Sequence, residues 1–205
     1  MTKLTREGWD DRYATTELIW GAEPNQFLVR EISDLSPGRA LDVATGEGRN
    51  AIWLARRGWN VSGVDFSAVA LDKARQIAAD LGVTIEWVEA DVIDYEPEPA
   101  AFDLVTIFYL HLERPARRQV LAAASRAVAP GGTLLIVGHD LDNLTRGYGG
   151  PQDPARLWVA ADAVEELVGL EVEQAGQVVR VVNTDNGTVE AIDTLIRARR
   201  ADGRH

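Results

Sequence analysis

The sequence predicts a doubly wound α/β fold, a largely parallel sheet covered by helices on both faces. Three observations carry this. Short apolar runs alternate with helix-like stretches between residues 39 and 138. The runs are nearly continuous in apolar residues, as strands buried on both faces require. The first of them ends in a glycine-rich turn that opens a helix, "LDVATGEGRNA".

The elements follow in order. Two helices, "TREGWDDRYAT" and "PNQFLVREISDL", precede the first strand and are punctuated by Tyr13, Trp20 and Phe27. "RALDVA" (39–44) is the first strand, and "GRNAIWLARRG" (48–58) is a helix closed by Gly58. "NVSGVDF" (60–66) is the second strand; the helix 67–82 starts on Ser67 as N-cap and ends at Gly82. Strands at 83–90 and 102–110 follow, then a helix over 115–132 with Pro115 in its first turn and "PGG" at its end. "TLLIVG" (133–138) is the fifth strand. After it, "GHDLDNLTRGYGGPQDP" (138–154) fits neither helix nor strand. A short helix near 161–168 leads to two strand-like runs, 170–182 and 188–199, joined by the turn "NTDNG". The chain reads as one domain, 1–205, with an N-terminal helical lid (1–36) and a core with a C-terminal hairpin (37–200).

Composition narrows the partners. The 205 residues carry a formal net charge of −11, which disfavours nucleic acid and anionic membranes and points to a small acceptor, neutral or cationic. No apolar stretch approaches the roughly 18–20 residues of a membrane span. The charged N-terminus lacks the apolar core of a secretion signal. With no cysteine in the chain, the expectation is a cytoplasmic protein without disulfides or thiolate sites. Exposed edges and lid helices in so small a fold suggest a homodimer.

Open α/β sheets bind ligands at the carboxyl ends of their strands. At the first exit, Gly46, Gly48 and Ala51 keep a GxGxx(G/A) spacing, which lets backbone approach a ligand closely. Asp65, at the second exit, lies 19 residues beyond Gly46 and suits ribose hydroxyls. Asp91, at the third, suits an adenine amino group, with Val92 beside the ring. Asp42 stands four residues before Gly46. Its carboxylate would repel the pyrophosphate of a nicotinamide cofactor and welcome a cation, so an NAD-dependent oxidoreductase is the remote alternative.

On these residues the stretch "LDVATGEGRNAIWLARRGWNVSGVDFS" resembles class I S-adenosylmethionine-dependent methyltransferases. It is similar in particular to their tellurite-resistance and thiopurine branch. The pattern Trp9, Arg12, Tyr13, Trp20, Pro24, Asn25 resembles the same branch. The resemblance implies a Rossmann-like seven-stranded sheet of order 3-2-1-4-5-7-6 with strand 7 antiparallel. It implies S-adenosylmethionine as cofactor, with S-adenosylhomocysteine as product, and a cofactor site from Asp42, Ala44, Gly46, Gly48, Asn50, Asp65, Phe66, Ser67, Asp91, Val92, Phe108, Tyr13 and Trp20. The N-terminal pattern together with 138–154 also resembles the members that methylate a sugar hydroxyl, the mannoside 1-O-methyltransferases. Tellurite, thiol and thiopurine acceptors are the alternatives within the class.

A hydroxyl acceptor needs a base within hydrogen-bond reach. Of three histidines, His111 follows the fourth strand and His139 the fifth, while His205 is the last residue. His139 is the first candidate, with Asp140 or Asp142 expected to orient its ring, and His111 is the second. The group His139, Asp140, Asp142 and Asn143 also has the chemistry for a divalent cation, without a dedicated metal spacing. Tyr109, Arg146 and Tyr148 are candidate acceptor contacts. No DPPY-type tetrapeptide of the nucleic-acid amino-methylating enzymes stands at the fourth exit; "FYLH" does.

Overall fold

The computed structural model describes residues 5–15, 17–19, 21–185 and 187–203. Seven strands form one sheet: β1 (Arg39–Val43), β2 (Asn60–Asp65), β3 (Glu86–Glu89), β4 (Phe102–Phe108), β5 (Val128–His139), β6 (Glu171–Thr184) and β7 (Gly187–Arg199). Their order is β3-β2-β1-β4-β5-β7-β6. β1 to β5 pair in parallel, and β7 runs antiparallel to both β5 and β6. The helices are α1 (Arg6–Tyr13), α2 (Gln26–Glu31), α3 (Arg49–Ala55), α4 (Ala68–Asp80), α5 (Arg114–Ala127), α6 (Asn143–Arg146) and α7 (Ala160–Glu165). Among the described residues no helix is long and apolar enough to cross a membrane.

Two boundaries differ from expectation. α5 stops at Ala127, and the segment expected to finish it opens β5, where Val128 pairs with Phe102. Pro130 cannot extend the helical ladder, and Gly131 takes a left-handed φ of 77°; the extra residues appear as a register shift between Phe102 and Leu104. The stretch 138–154 also holds more structure than its composition suggests. It carries α6 and a 3₁₀ turn over Pro154–Arg156, and Asp140 bridges to Trp158.

Two apolar layers sandwich the sheet. Leu41, Val105, Ile136, Leu121 and Trp158 lie in one, and Leu104, Val137, Leu195, Leu28 and Leu54 in the other. Alternation along each strand decides which residue enters which layer. On β5 and β7, His139 pairs with Asp193 and shares the α2–α3 side, whereas Gly138 pairs with Thr194 on the opposite side. Trp158 is fully buried on that opposite side, its indole lying against the Cα of Gly138 and donating to the Leu110 carbonyl at 3.2 Å. A side chain at 138 would collide with the indole.

Candidate active site

The first strand exit is shaped by backbone. Ala44, Gly46 and Gly48 take φ of 58°, 55° and 78°, three left-handed steps in five residues. A Cβ on Gly48 would fall 2.6 Å from Trp87, and one on Gly46 would fall 3.0 Å from the Tyr13 hydroxyl. The turn is therefore bare backbone roofed by α1. Asp65 fixes its shape: Oδ2 accepts from the Gly46 N–H at 2.8 Å and Oδ1 from the Ser67 N–H at 2.9 Å. Asp42 sits beneath, accepting from the hydroxyls of Thr45 (2.6 Å) and Thr106 (2.7 Å). Burial pushes both carboxyls above the usual carboxylate range. A cation entering this exit would relieve that cost; a phosphate would add to it. Carboxylate oxygens have two lone pairs each, so both groups keep acceptor capacity.

Several expected cofactor residues have first duties elsewhere. Ser67 is fully buried, caps α4 through Ala70 N–H and donates to Asp10 of α1 at 2.5 Å. Asn50 accepts from the Asn25 N–H at 2.9 Å and so ties α3 to the N-terminal segment. Phe66 lies 5.8 Å below the Arg6 guanidinium. Asp91 closes a turn on Ile93 N–H at 3.0 Å and is exposed, with Val92 buried beside it. Phe108 is buried as the last residue of β4. Tyr13 covers Gly46, and Trp20 lies outside the described residues.

The second part of the site stands where β4 and β5 end beside the middle of β7. His139 Nδ1 lies 3.0 Å from Asp193 Oδ1, with the N–H off the line to the oxygen. Asp193 Oδ2 accepts from the Tyr109 hydroxyl and from Arg180 Nε, both at 2.8 Å. Asn25 donates to the same hydroxyl at 3.4 Å. The His139 ring lies 4.9 Å from Tyr109 and stacks on His111 at 5.3 Å and 8°. Burial would raise the Asp193 carboxyl, but the close approach of His139 and the bond from Arg180 outweigh it and hold the group below its usual range. Burial and the adjoining Asp193 charge push the Tyr109 phenol up, so it remains a donor. Burial and the neighbouring His139 lower His111 to about 4, so it is neutral at physiological pH. Tyr109 has a left-handed φ of 54°, a conformation that costs about 1–3 kcal/mol in a non-glycine residue and collects at working sites.

The partner of His139 is thus Asp193, not Asp140 or Asp142. Strand alternation sends Asp140 to the far side, where it accepts from Thr194 (2.5 Å) and Gln177 (2.9 Å). Asp142 pairs with Arg146 at 2.5 Å, and Gln177 contacts both, so Arg146 is also drawn to that side. Tyr148 is half exposed. His139 is therefore separated from the two carboxylates expected to share a cation with it. Among the described residues no cluster of three His, Cys, Asp or Glu could hold a metal. Gly150 instead lies flush on His139, since a Cβ there would fall 2.7 Å from the imidazole. Asp193, Arg180 and Arg49 escaped the sequence reading. Only Asp193 had a signal, an acid inside the apolar run "EAIDTLIRA".

Strand order, antiparallel seventh strand and bare turn define the fold of the class I S-adenosylmethionine-dependent methyltransferases. Residues 40–132 match the family model described as a methyltransferase domain. Over 104 residues it is 36% identical to the demethylmenaquinone methyltransferase of Thermus thermophilus, covering 50% of this chain and 47% of that one. Over 107 residues it is 33% identical to the ubiquinone biosynthesis O-methyltransferase of Cronobacter sakazakii, covering 52% and 44%. The chain spans about half the length of the curated relatives it matches. Among solved structures, a protein described for conversion of a disulfide into a thioacetal in echinomycin biosynthesis superposes with TM-score 0.77, at 23% identity over 97% of this chain and 93% of that one. The N-methyltransferase NodS of Bradyrhizobium japonicum, solved with S-adenosylhomocysteine, gives 0.73 at 18% identity over 97% and 99%.

Proposed function

We propose that the protein transfers the methyl group of S-adenosylmethionine to a hydroxyl of a small, sugar-like acceptor, with His139 as general base. One observation carries the reading: His139, its side chain 12% exposed, is paired with the fully buried Asp193 at the same sheet edge as the bare, carboxylate-lined turn. When bound, S-adenosylmethionine supplies an electrophilic methyl on a sulfonium. Asp65 would take its ribose hydroxyls, Asp91 and Val92 its adenine, and the backbone of 44–48 its methionine end, with Asp42 stabilising the positive charge from below. His139 would take the proton of the acceptor hydroxyl as the methyl passes to its oxygen, and the sulfonium would leave as the neutral thioether of S-adenosylhomocysteine. Asp193 remains a carboxylate, orients the ring and stabilises the imidazolium. Tyr109 fixes Asp193 from the other side, and Gly150 leaves the room His139 needs. Tyr13 and α1 cover the cofactor end, and the loop 147–153 shields the base. The net charge of −11 supports a small acceptor over a nucleic acid. The absence of cysteine agrees with a cytoplasmic setting, and the exposed Val179 and Val181 on edge strand β6 agree with a homodimer.

The test is a screen of sugars, thiols and tellurite with methyl-labelled S-adenosylmethionine, repeated with His139→Ala and Asp193→Asn. Both variants are expected to lose about 10²- to 10⁴-fold in kcat on a hydroxyl acceptor while binding S-adenosylhomocysteine unchanged. Transfer only to thiols or tellurite, with both variants silent, would replace the base mechanism by soft-nucleophile transfer. Thermal stabilisation by NADH and not by S-adenosylhomocysteine would overturn the whole reading.

A further inference from the structure

Arg180 does more at this site than neutralise a carboxylate. Asp193 already has the Tyr109 hydroxyl at 2.8 Å and His139 at 3.0 Å. Arg180 comes in from β6, whose Val178 pairs with Asp193 and whose Arg180 pairs with Ala191, so it projects on the same side of the sheet. Its Nε–H goes to Asp193 Oδ2 at 2.8 Å. Its Cζ lies 5.6 Å from the centre of the Tyr109 ring, and that ring lies 4.9 Å from His139. A guanidinium has five N–H donors, and the side chain is 24% exposed, so part of its fork remains open to a ligand. Arg49, the first residue of α3, is partly buried and within electrostatic reach of Tyr109 and Arg180. Arg180 thus flanks the tyrosine beside His139, in a chain whose net charge of −11 would otherwise repel an anion. A planar fork beside an aromatic face is matched to a carboxylate.

We propose that the acceptor is a hydroxy acid: its hydroxyl meets His139 while its carboxylate is held by Arg180. This rests on the methyltransferase reading and narrows its acceptor. It also reverses the preference for a neutral or cationic acceptor that net charge alone suggests. The carboxylate could instead be the cofactor's own, and the test separates the two.

Binding and methyl transfer are measured on the full chain loaded with S-adenosylhomocysteine or S-adenosylmethionine, using two matched pairs: glucuronate against glucose, and 3,4-dihydroxybenzoate against catechol. In at least one pair the acid is expected to bind or react 10-fold or more better than its neutral partner. Arg180→Gln should erase that preference by raising KM for the acid, with affinity for S-adenosylhomocysteine held within twofold. Arg180→Lys, which keeps the charge beside Asp193, should restore part of it and serves as the folding control. Equal behaviour of acid and neutral partner overturns the proposal, as does failure of all four probes to bind. Loss of S-adenosylhomocysteine affinity in Arg180→Gln, with acid preference intact, assigns the fork to the cofactor and also overturns it. If S-adenosylhomocysteine fails to bind the unaltered protein, both readings fall.

Discussion

Asp193 shows how one buried atom pair can organise a site. Its two oxygens face an imidazole, a phenol and a guanidinium drawn from three different strand segments. Removing any donor leaves the others in place, but removing the carboxylate leaves three donors without an acceptor. His111 carries a different liability. It is neutral in the folded protein down to about pH 4, whereas an unfolded histidine titrates near 6.5. Between those values the unfolded chain binds more protons, so stability is fully present above about 6.5 and falls as pH drops toward 4. The loss should reach on the order of 2–3 kcal/mol. Urea titrations at pH 7.5 and pH 5 check it, and His111→Asn should flatten the difference. Both histidines and the acids at the first three strand exits were legible in the sequence, because a chemical side chain just after an apolar run lands at the ligand edge. Asp193 was not. Its meaning depends on which strand lies beside β5 and in which register, and no local pattern encodes that.

At the scale of elements, the loop between β5 and α7 is a docked excursion rather than a free flap. Asn143 fastens it: Oδ1 accepts from the Ile192 N–H at 2.7 Å, and Nδ2 donates to the Gly149 carbonyl at 2.9 Å. Asp153 caps the 3₁₀ turn, and Trp158 is clamped between Gly138 and the Arg117 guanidinium, 4.8 Å from its ring. Asn143→Ala would leave a buried N–H without its acceptor, at about 1–3 kcal/mol. The expected result is a lower denaturation midpoint together with reduced kcat, since Gly150 would no longer be held on His139. Unchanged kcat with lowered stability would show that the loop supports the fold alone. Glycine and proline content marked this stretch as irregular but could not distinguish a mobile strap from a fastened one, because the fastening hydrogen bonds reach β7, about fifty residues onward in the chain.

For the whole molecule, the sheet divides by task. The parallel strands β1 to β3 carry the bare turn and the acids Asp42, Asp65 and Asp91 at or just beyond their ends, and β5 to β7 carry His139, Asp193 and Arg180. The family match over 40–132 ends before His139, Arg180 and Asp193. The acceptors of matched relatives therefore carry little weight for this chain, which is why the fold was readable from sequence and the acceptor was not. Ligand at 100 times its Kd stabilises by about 2.7 kcal/mol, which for a chain of this size raises Tm by roughly 5–10 °C. S-adenosylhomocysteine should give that shift in a thermal melt. Asp10→Ala, which frees α1 from Ser67, should reduce it by weakening the roof over Gly46.

The pairing of β5 with β7 also bears on how the site can be altered. His139 faces Asp193 because seven consecutive partners, from Thr133 with Arg199 to His139 with Asp193, hold the two strands in step. The tip of the hairpin, near Thr184 and Gly187, lies at the opposite end of β7 from Arg199. Residues could therefore be inserted at the tip, lengthening or replacing the loop, while the base and its partner stay aligned. A single residue deleted between Asp193 and Arg199 would instead present Ile192 to the histidine and turn the acid toward Trp158. The tip is the natural place to graft a tag or a recognition loop, and the lower half of the strand is the place where even the smallest change in length would part His139 from Asp193.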